Sequence, residues 1–241
     1  MKLPTIQGLI KRRILVNFRA DPAVIQNILP KGFRPKLHKG KAIAGICLIR
    51  LEHIRPKFAP EFVGINSENA AHRIAVIWED ESGTTCEGVF IPRRDTGSTL
   101  NSFTGGRVFP GEHHKAGFEV KESGNSINFA MRSDDGTVTI DLTGKIAAEL
   151  PSTSIFSSLD EASKFFEPGA LGYSVTRDAD HLDGILLKTK EWRVEAFELD
   201  SVESSFYKDE TIFPKGSIEF DHALLMRDIE HEWHAARNFD L

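Results

Sequence analysis

The sequence predicts a β-rich α+β fold, an antiparallel β-barrel with a few short helices. Short apolar runs of alternating or β-branched character recur along the chain, and turn signals separate them about every ten residues. The chain has 241 residues, 40% of them hydrophobic and 27% charged. That is enough for one sizeable core, and β-barrels commonly use this length as one domain. Residues 1–241 are therefore read as a single domain.

The elements follow in order. "RILVNFRAD" is an apolar run read as a strand. Asp21 then serves as an N-cap, Pro22 takes the first helical position, and Val24, Ile25 and Ile28 share one face until Pro30 and Gly32 stop the helix. "KAIAGICLIRLEHI" is apolar on both parities, as a strand covered on both faces must be. Residues 55–67 are interrupted by Pro and Gly and read as a loop. "NAAHRIAVIWED" and "TTCEGVFIPR" form a hairpin across Ser82-Gly83, and the polar "RDTGSTLNSFTGG" is a loop or a short helix. Three more strands, "HKAGFEVKE", "SINFAMRS" and "TVTIDLTGKIAAEL", are joined by turns at Gly124-Asn125 and Asp134-Asp135-Gly136. "SLDEASKFFEPG" is a helix with Ser158 as N-cap and Glu161 at the capping-box position. Further strand-like segments complete the chain.

Composition excludes several classes. A net charge of −5 leaves no basic footprint for nucleic acid. No stretch reaches the roughly 20 apolar residues of a membrane helix, and Pro4 with the charges at 11–13 interrupts any signal-peptide pattern. Cys47 and Cys86 lack metal-ligand spacing and read as buried thiols of a reducing compartment. A soluble, cytoplasmic protein is expected. "HEWH" at 231–234 supplies two histidines without a third ligand, so no metal is expected, and no Ser-His-Asp or Cys-His nucleophile signature is present. Nothing calls for a cofactor.

The order of segments resembles the acetoacetate decarboxylase-like superfamily, closest to its uncharacterised branch. "ILVNFRADPAVIQNILPKGFRP", "SENAAHRIAVIWED…EGVFIPRRD", "GGRVFPGEHHKAGFEV" and "SLDEASKFFEPGALGYSV…EWRVEAFEL" carry the likeness over most of the chain. The resemblance implies a cone-shaped barrel with a small interior cavity, and a homo-oligomer. In the decarboxylase a lysine on the strand after the Gly-Arg segment forms a Schiff base with a β-keto acid. A second lysine beside it and the apolar pocket lower its pKa. A gap-free match from Gly106-Arg107 puts His114 at that position and Lys115 at its neighbour, where the family keeps a Lys-Lys pair.

Strand parity gives an independent reading. His114, Ala116, Phe118 and Val120 share the apolar face; Lys115, Gly117, Glu119 and Lys121 share the other. His114 is thus expected to point inward, as an acid/base or as a backbone-satisfied core histidine, and Lys115 outward. The resemblance puts a pocket glutamate near Glu68, which is otherwise a loop carboxylate in water. Arg73 lies inside an apolar strand and must be paired, most simply with Glu68 or a ligand carboxylate. Arg12 or Arg13 falls near the family's substrate-side arginine, although solvent is the simplest place for either. Arg93-Arg94-Asp95 reads as a charged strand end.

Three functions compete at this point: binding or transforming a small organic keto acid, Schiff-base decarboxylation through Lys115, and ligand binding without chemistry. Each has a small-molecule partner, and the first two require a carboxylate.

Overall fold

A computed structural model describes residues 4–98, 111–177 and 180–241. The Gly106-Arg107 pair and most of "RDTGSTLNSFTGG" lie outside the described residues.

Strand β1 spans Ile6–Ala20 and is followed by helix α1, Pro22–Ile28. The Asp21 carboxylate accepts from the Ala23 N–H at 2.8 Å, and Pro22 needs no donor there. Short strands β2 (Arg34–Pro35) and β3 (Leu37–His38) lead into β4, Lys41–Pro56. The hairpin of β5 (Ile65–Glu79) and β6 (Thr85–Thr96) turns at Gly83, whose φ is +79°. β5 thus begins within the segment read from sequence as a loop. Next come β7 (His114–Ser123), β8 (Ser126–Ser133) and β9 (Thr139–Ala147). Helix α2, Leu159–Phe166, is capped as the sequence predicts: Ser158 Oγ accepts from the Glu161 N–H at 3.1 Å. The remaining strands are β10 (Leu171–Ser174), β11 (His181–Thr189), β12 (Glu195–Ser204), β13 (Ile218–Ala235) and β14 (Phe239–Asp240).

Among the described residues all fourteen strands join one largely antiparallel sheet, whose pairings close on themselves twice. One circuit has nine strands and runs β6-β7-β8-β9-β12-β13-β1-β4-β5 and back to β6. The other has seven strands and runs β6-β10-β11-β13-β1-β4-β5 and back to β6. β6 pairs in parallel with both β7 and β10, which is where the circuits diverge.

Five strands are shared, so each presents one face to each circuit. This explains the two-sided apolar pattern of β4. Ala44, Ile46 and Leu48 join the largest core, which draws residues from every strand of the nine-strand circuit. Ile43, Cys47 and Ile49 face the other way, toward smaller cores and a cavity.

Candidate functional site

Arg12 and Arg13 show what this arrangement does to adjacent side chains. Successive residues of a strand point to opposite faces. Arg12 is 1% exposed, and its guanidinium bonds Glu68 at 2.6 Å and also Glu122. Glu68 additionally accepts from Arg50 Nη1 at 3.2 Å. These charges form an ion cluster beside the nine-strand circuit. Solvent, the simplest expectation for Arg12, is thereby overturned.

The pairing of Arg73 with Glu68 expected from sequence is also overturned. The two residues stand five apart in β5, so they project from opposite faces of the strand. Glu68 belongs to the ion cluster; Arg73 faces the seven-strand circuit.

That circuit encloses a cavity of about 120 Å³, with lining residues from all seven of its strands. A second lobe of about 60 Å³ lies under α2, and Arg13 and Arg73 line both. Small residues leave the space: Ala71, Gly169, Ala170 and Gly172 stand where larger side chains would fill it. By volume it holds several waters or one small organic molecule.

Three arginines face this space, and among the described residues none has a carboxylate ion pair. Arg13 Nε donates to Cys47 Sγ at 3.3 Å, and its Nη1 meets Met226 Sδ at 3.9 Å. Arg73, 4% exposed, donates to Asn17 Oδ1 and lies over the Phe166 ring, 5.1 Å from its centroid. Arg94 Nε donates to Ser174 Oγ at 2.8 Å. Burial lowers Arg73 and Arg94 to about 10, so both remain charged near neutrality. Enclosed charges are normally paired, so this cluster calls for an anion.

Arg94 corrects a third expectation, that Arg93-Arg94-Asp95 is merely a charged strand end. His72 pairs with Arg93 and Ile74 with Phe90, so Arg73 alone opposes both Ile91 and Pro92. This two-against-one bulge shifts the parity of β6 and turns Arg94 to the same side as Val89 and Ile91. Arg93 instead binds Asp95, which is buried, at 2.8 Å, and Asp135 at 2.9 Å.

A buried hydrogen-bond chain fixes Arg73. Asn17 Nδ2 donates to the Leu15 carbonyl at 3.1 Å and meets His222 Nε2 at 3.0 Å. His222 Nδ1 meets Asp221 Oδ2 at 2.6 Å. Burial lowers the His222 pKa, which favours the neutral ring with Nδ1 donating and Nε2 accepting. Burial alone would raise Asp221, but bonds from His222, Ser154 and the Ile155 N–H outweigh it and lower that carboxyl.

His113 reaches the cavity from the segment before β7. Gly111 has φ +89°, and a Cβ there would lie 2.5 Å from Ser174 Cβ, so glycine is required. The Gly111 N–H donates to Asp183 Oδ2 at 2.8 Å, and the Glu112 N–H to the Val175 carbonyl at 2.9 Å. Burial, then the charge of Arg94, lowers His113 to about 3, which keeps it neutral.

Ala116 packs in the largest core, and Phe118 and Val120 pack against it from the same face of β7. His114, at the head of that face, is partly exposed, and its Nδ1 lies 3.2 Å from Asp135. Lys115 Nζ donates to the Gly97 carbonyl at 2.7 Å. Of the residues singled out from sequence, the structure therefore brings Arg13 and Arg73 to the cavity. It puts Arg12 and Glu68 in the ion cluster, and His114 and Lys115 at the start of β7. Sequence reasoning missed Cys47, Arg94 and His113.

Residues 10–224 match a family described as an uncharacterized conserved protein, DUF2071. The chain belongs to the DUF2071 family. No curated protein matches the chain. Solved structures show that this DUF2071 protein has the acetoacetate decarboxylase-like fold. Acetoacetate decarboxylase from Legionella pneumophila aligns with a TM-score of 0.63 at 12% identity, covering 99% of this chain and 88% of that one. An acetoacetate decarboxylase-like enzyme from Sphingomonas wittichii RW1 gives 0.60 at 13%, covering 100% and 94%. The enduracididine biosynthesis enzyme MppR complexed with pyruvate gives 0.57 at 11%, covering 99% and 91%. At such identities the likeness concerns the fold.

Proposed function

We propose that this DUF2071 protein binds a small organic acid in the cavity of its seven-strand circuit, an α-keto acid in particular. One observation carries the reading: Arg13, Arg73 and Arg94 face one cavity with no carboxylate ion pair among the described residues. A ligand carboxylate offers two charged oxygens to several guanidinium donors at once and can pair with them bidentately, whereas a neutral ketone brings no charge. Apolar walls from Ile49, Ile91 and Leu187 then receive the short carbon chain. The pyruvate bound by MppR, which shares the fold, supports the choice of acid.

Isothermal titration with pyruvate, acetoacetate and acetone tests the proposal. Both acids are expected to bind and acetone to give no heat, with Arg94→Gln weakening the acids at least about tenfold, the loss of one charge-assisted hydrogen bond. Equal response to acetone, or indifference to Arg94→Gln, would sink it. Borohydride reduction with the same acids, followed by peptide mapping, is expected to leave Lys115 unmodified, since that lysine does not line the cavity. A reduced adduct on Lys115 would instead give it the Schiff-base role.

A further inference from the structure

Cys47 occupies an unusual place among the arginines. It lies on β4 and lines the cavity with Arg13, Arg73 and Arg94. Its Sγ accepts from Arg13 Nε at 3.3 Å, and Arg73 and Arg94 line the same small space. Cys86 is the natural contrast. It lies on the β5–β6 hairpin with its Sγ 3.9 Å from the Asp80 carboxylate, in electronegative surroundings.

A second observation points to a ligand beside Cys47. Arg73 is 4% exposed, and its Nε has no hydrogen-bond partner among the described residues. A carboxylate seated on these arginines brings the adjoining carbonyl carbon of an α-keto acid within the same small space as Sγ. Reacting groups confined together react far faster than the same groups in solution.

We propose that Cys47 is the nucleophile of this cavity and adds reversibly to the carbonyl of an α-keto acid held by the arginines. This rests on the acid-binding reading of the same site. In the step, an S–C bond forms and the carbonyl π pair moves to oxygen. The thiol proton ends on that oxygen, giving a neutral thiohemiketal beside the bound carboxylate. No oxidant, reductant or leaving group is involved. Cys47 thereby supplies a covalent function from β4 that does not depend on a lysine of β7.

The test uses the full chain and two alkylating probes of similar size, iodoacetate and iodoacetamide. Each forms an S–C bond and releases iodide, but only iodoacetate carries the anion. Peptide mapping gives the rate at each cysteine, with Cys86 as the internal reference. The ratio of iodoacetate to iodoacetamide rates is expected to be at least about tenfold higher at Cys47 than at Cys86, as electrostatic focusing in a cationic cleft provides. Arg94→Gln should reduce that bias, and pyruvate should slow labelling at Cys47 alone. Carbon NMR of carbonyl-labelled pyruvate is expected to show, with the wild type, a protein-bound tetrahedral carbon distinct from that of free pyruvate hydrate, and no such bound signal with Cys47→Ser.

If pyruvate binds wild type and Cys47→Ser equally and no protein-bound tetrahedral carbon appears beyond the free hydrate, the nucleophile is excluded and the acid site stands. If pyruvate does not bind and the two cysteines show the same probe ratio, both readings fall.

Discussion

The nine-strand and seven-strand circuits share five strands, yet one is filled and the other holds a cavity. On the shared strands the nine-strand side carries Ile14, Val16, Ile46, Leu48 and Ile74. Such side chains interdigitate to crystal-like density. The opposite side carries Ala71, arginines and the nearby Gly172, which cannot close the space. Charge follows the same division. Arg12 meets two carboxylates, while its neighbour Arg13 meets two sulfurs. The comparison teaches that an arginine in this protein is structural where its own fold supplies the anion, and is left open to a ligand, as we propose, where it does not.

The largest expected effect falls on the paired cluster. Glu68→Ala should lower stability by about 3 kcal/mol, because Arg12 loses one of its carboxylates while remaining buried. Chemical denaturation measures this, and a change below about 0.5 kcal/mol, typical of surface sites, would remove the distinction between the clusters.

Acid should act next, through histidines kept neutral by burial. His72 is fully buried against Phe206, and burial, followed by the charge of Arg93, lowers it from 6.5 to about 3. Its folded pKa lies below its unfolded one, so the unfolded state binds the extra proton. The stability it contributes is present above about 6.5 and is lost as pH falls toward about 3. His231, lowered to about 4 chiefly by burial, acts in the same direction. Denaturation midpoints measured across that window should fall, and His72→Asn should flatten the slope by up to about 1.4 kcal/mol per pH unit. An unchanged slope would show that His72 does not titrate in this range on unfolding.

The unpaired side should behave in the opposite way. Arg94→Leu is expected to leave stability within about 1 kcal/mol of wild type, or to raise it, because an enclosed charge without an ion pair is replaced by an apolar group. Pyruvate affinity should fall in the same variant. A loss of several kcal/mol in the absence of ligand would mean that Arg94 is structural after all. Smallest of all, Lys115→Ala should change stability by less than about 0.5 kcal/mol. A larger loss, seen by the same denaturation, would give its bond to Gly97 an unexpected weight.

Much of the architecture was legible locally. The caps at Asp21 and Ser158 and the turns at Gly83, Gly124 and Gly136 depend on a few adjacent residues, so sequence places them well. The alternation of β7 was equally readable, since Ala116, Phe118 and Val120 do face the largest core. The site was less legible for three reasons. Glu68 and Arg73 were paired by chemical complementarity, although their spacing puts them on opposite faces. Arg94 was hidden by the bulge at Ile91 and Pro92, which cannot be seen without the partner strand. Cys47 carried no motif, because its chemistry comes from arginines on other strands.

By itself, then, the sequence determined the strand and turn plan, the two-faced character of β4, and the likeness to the acetoacetate decarboxylase-like superfamily. Alternation, capping and turn chemistry act over two to five residues, within reach of a linear reading. Tertiary structure alone decided which face met which circuit, which arginines found carboxylates, and where the space remained. Those outcomes depend on strand register and on sheet closure between residues far apart in the chain. A one-residue shift in register reverses every side chain that follows it.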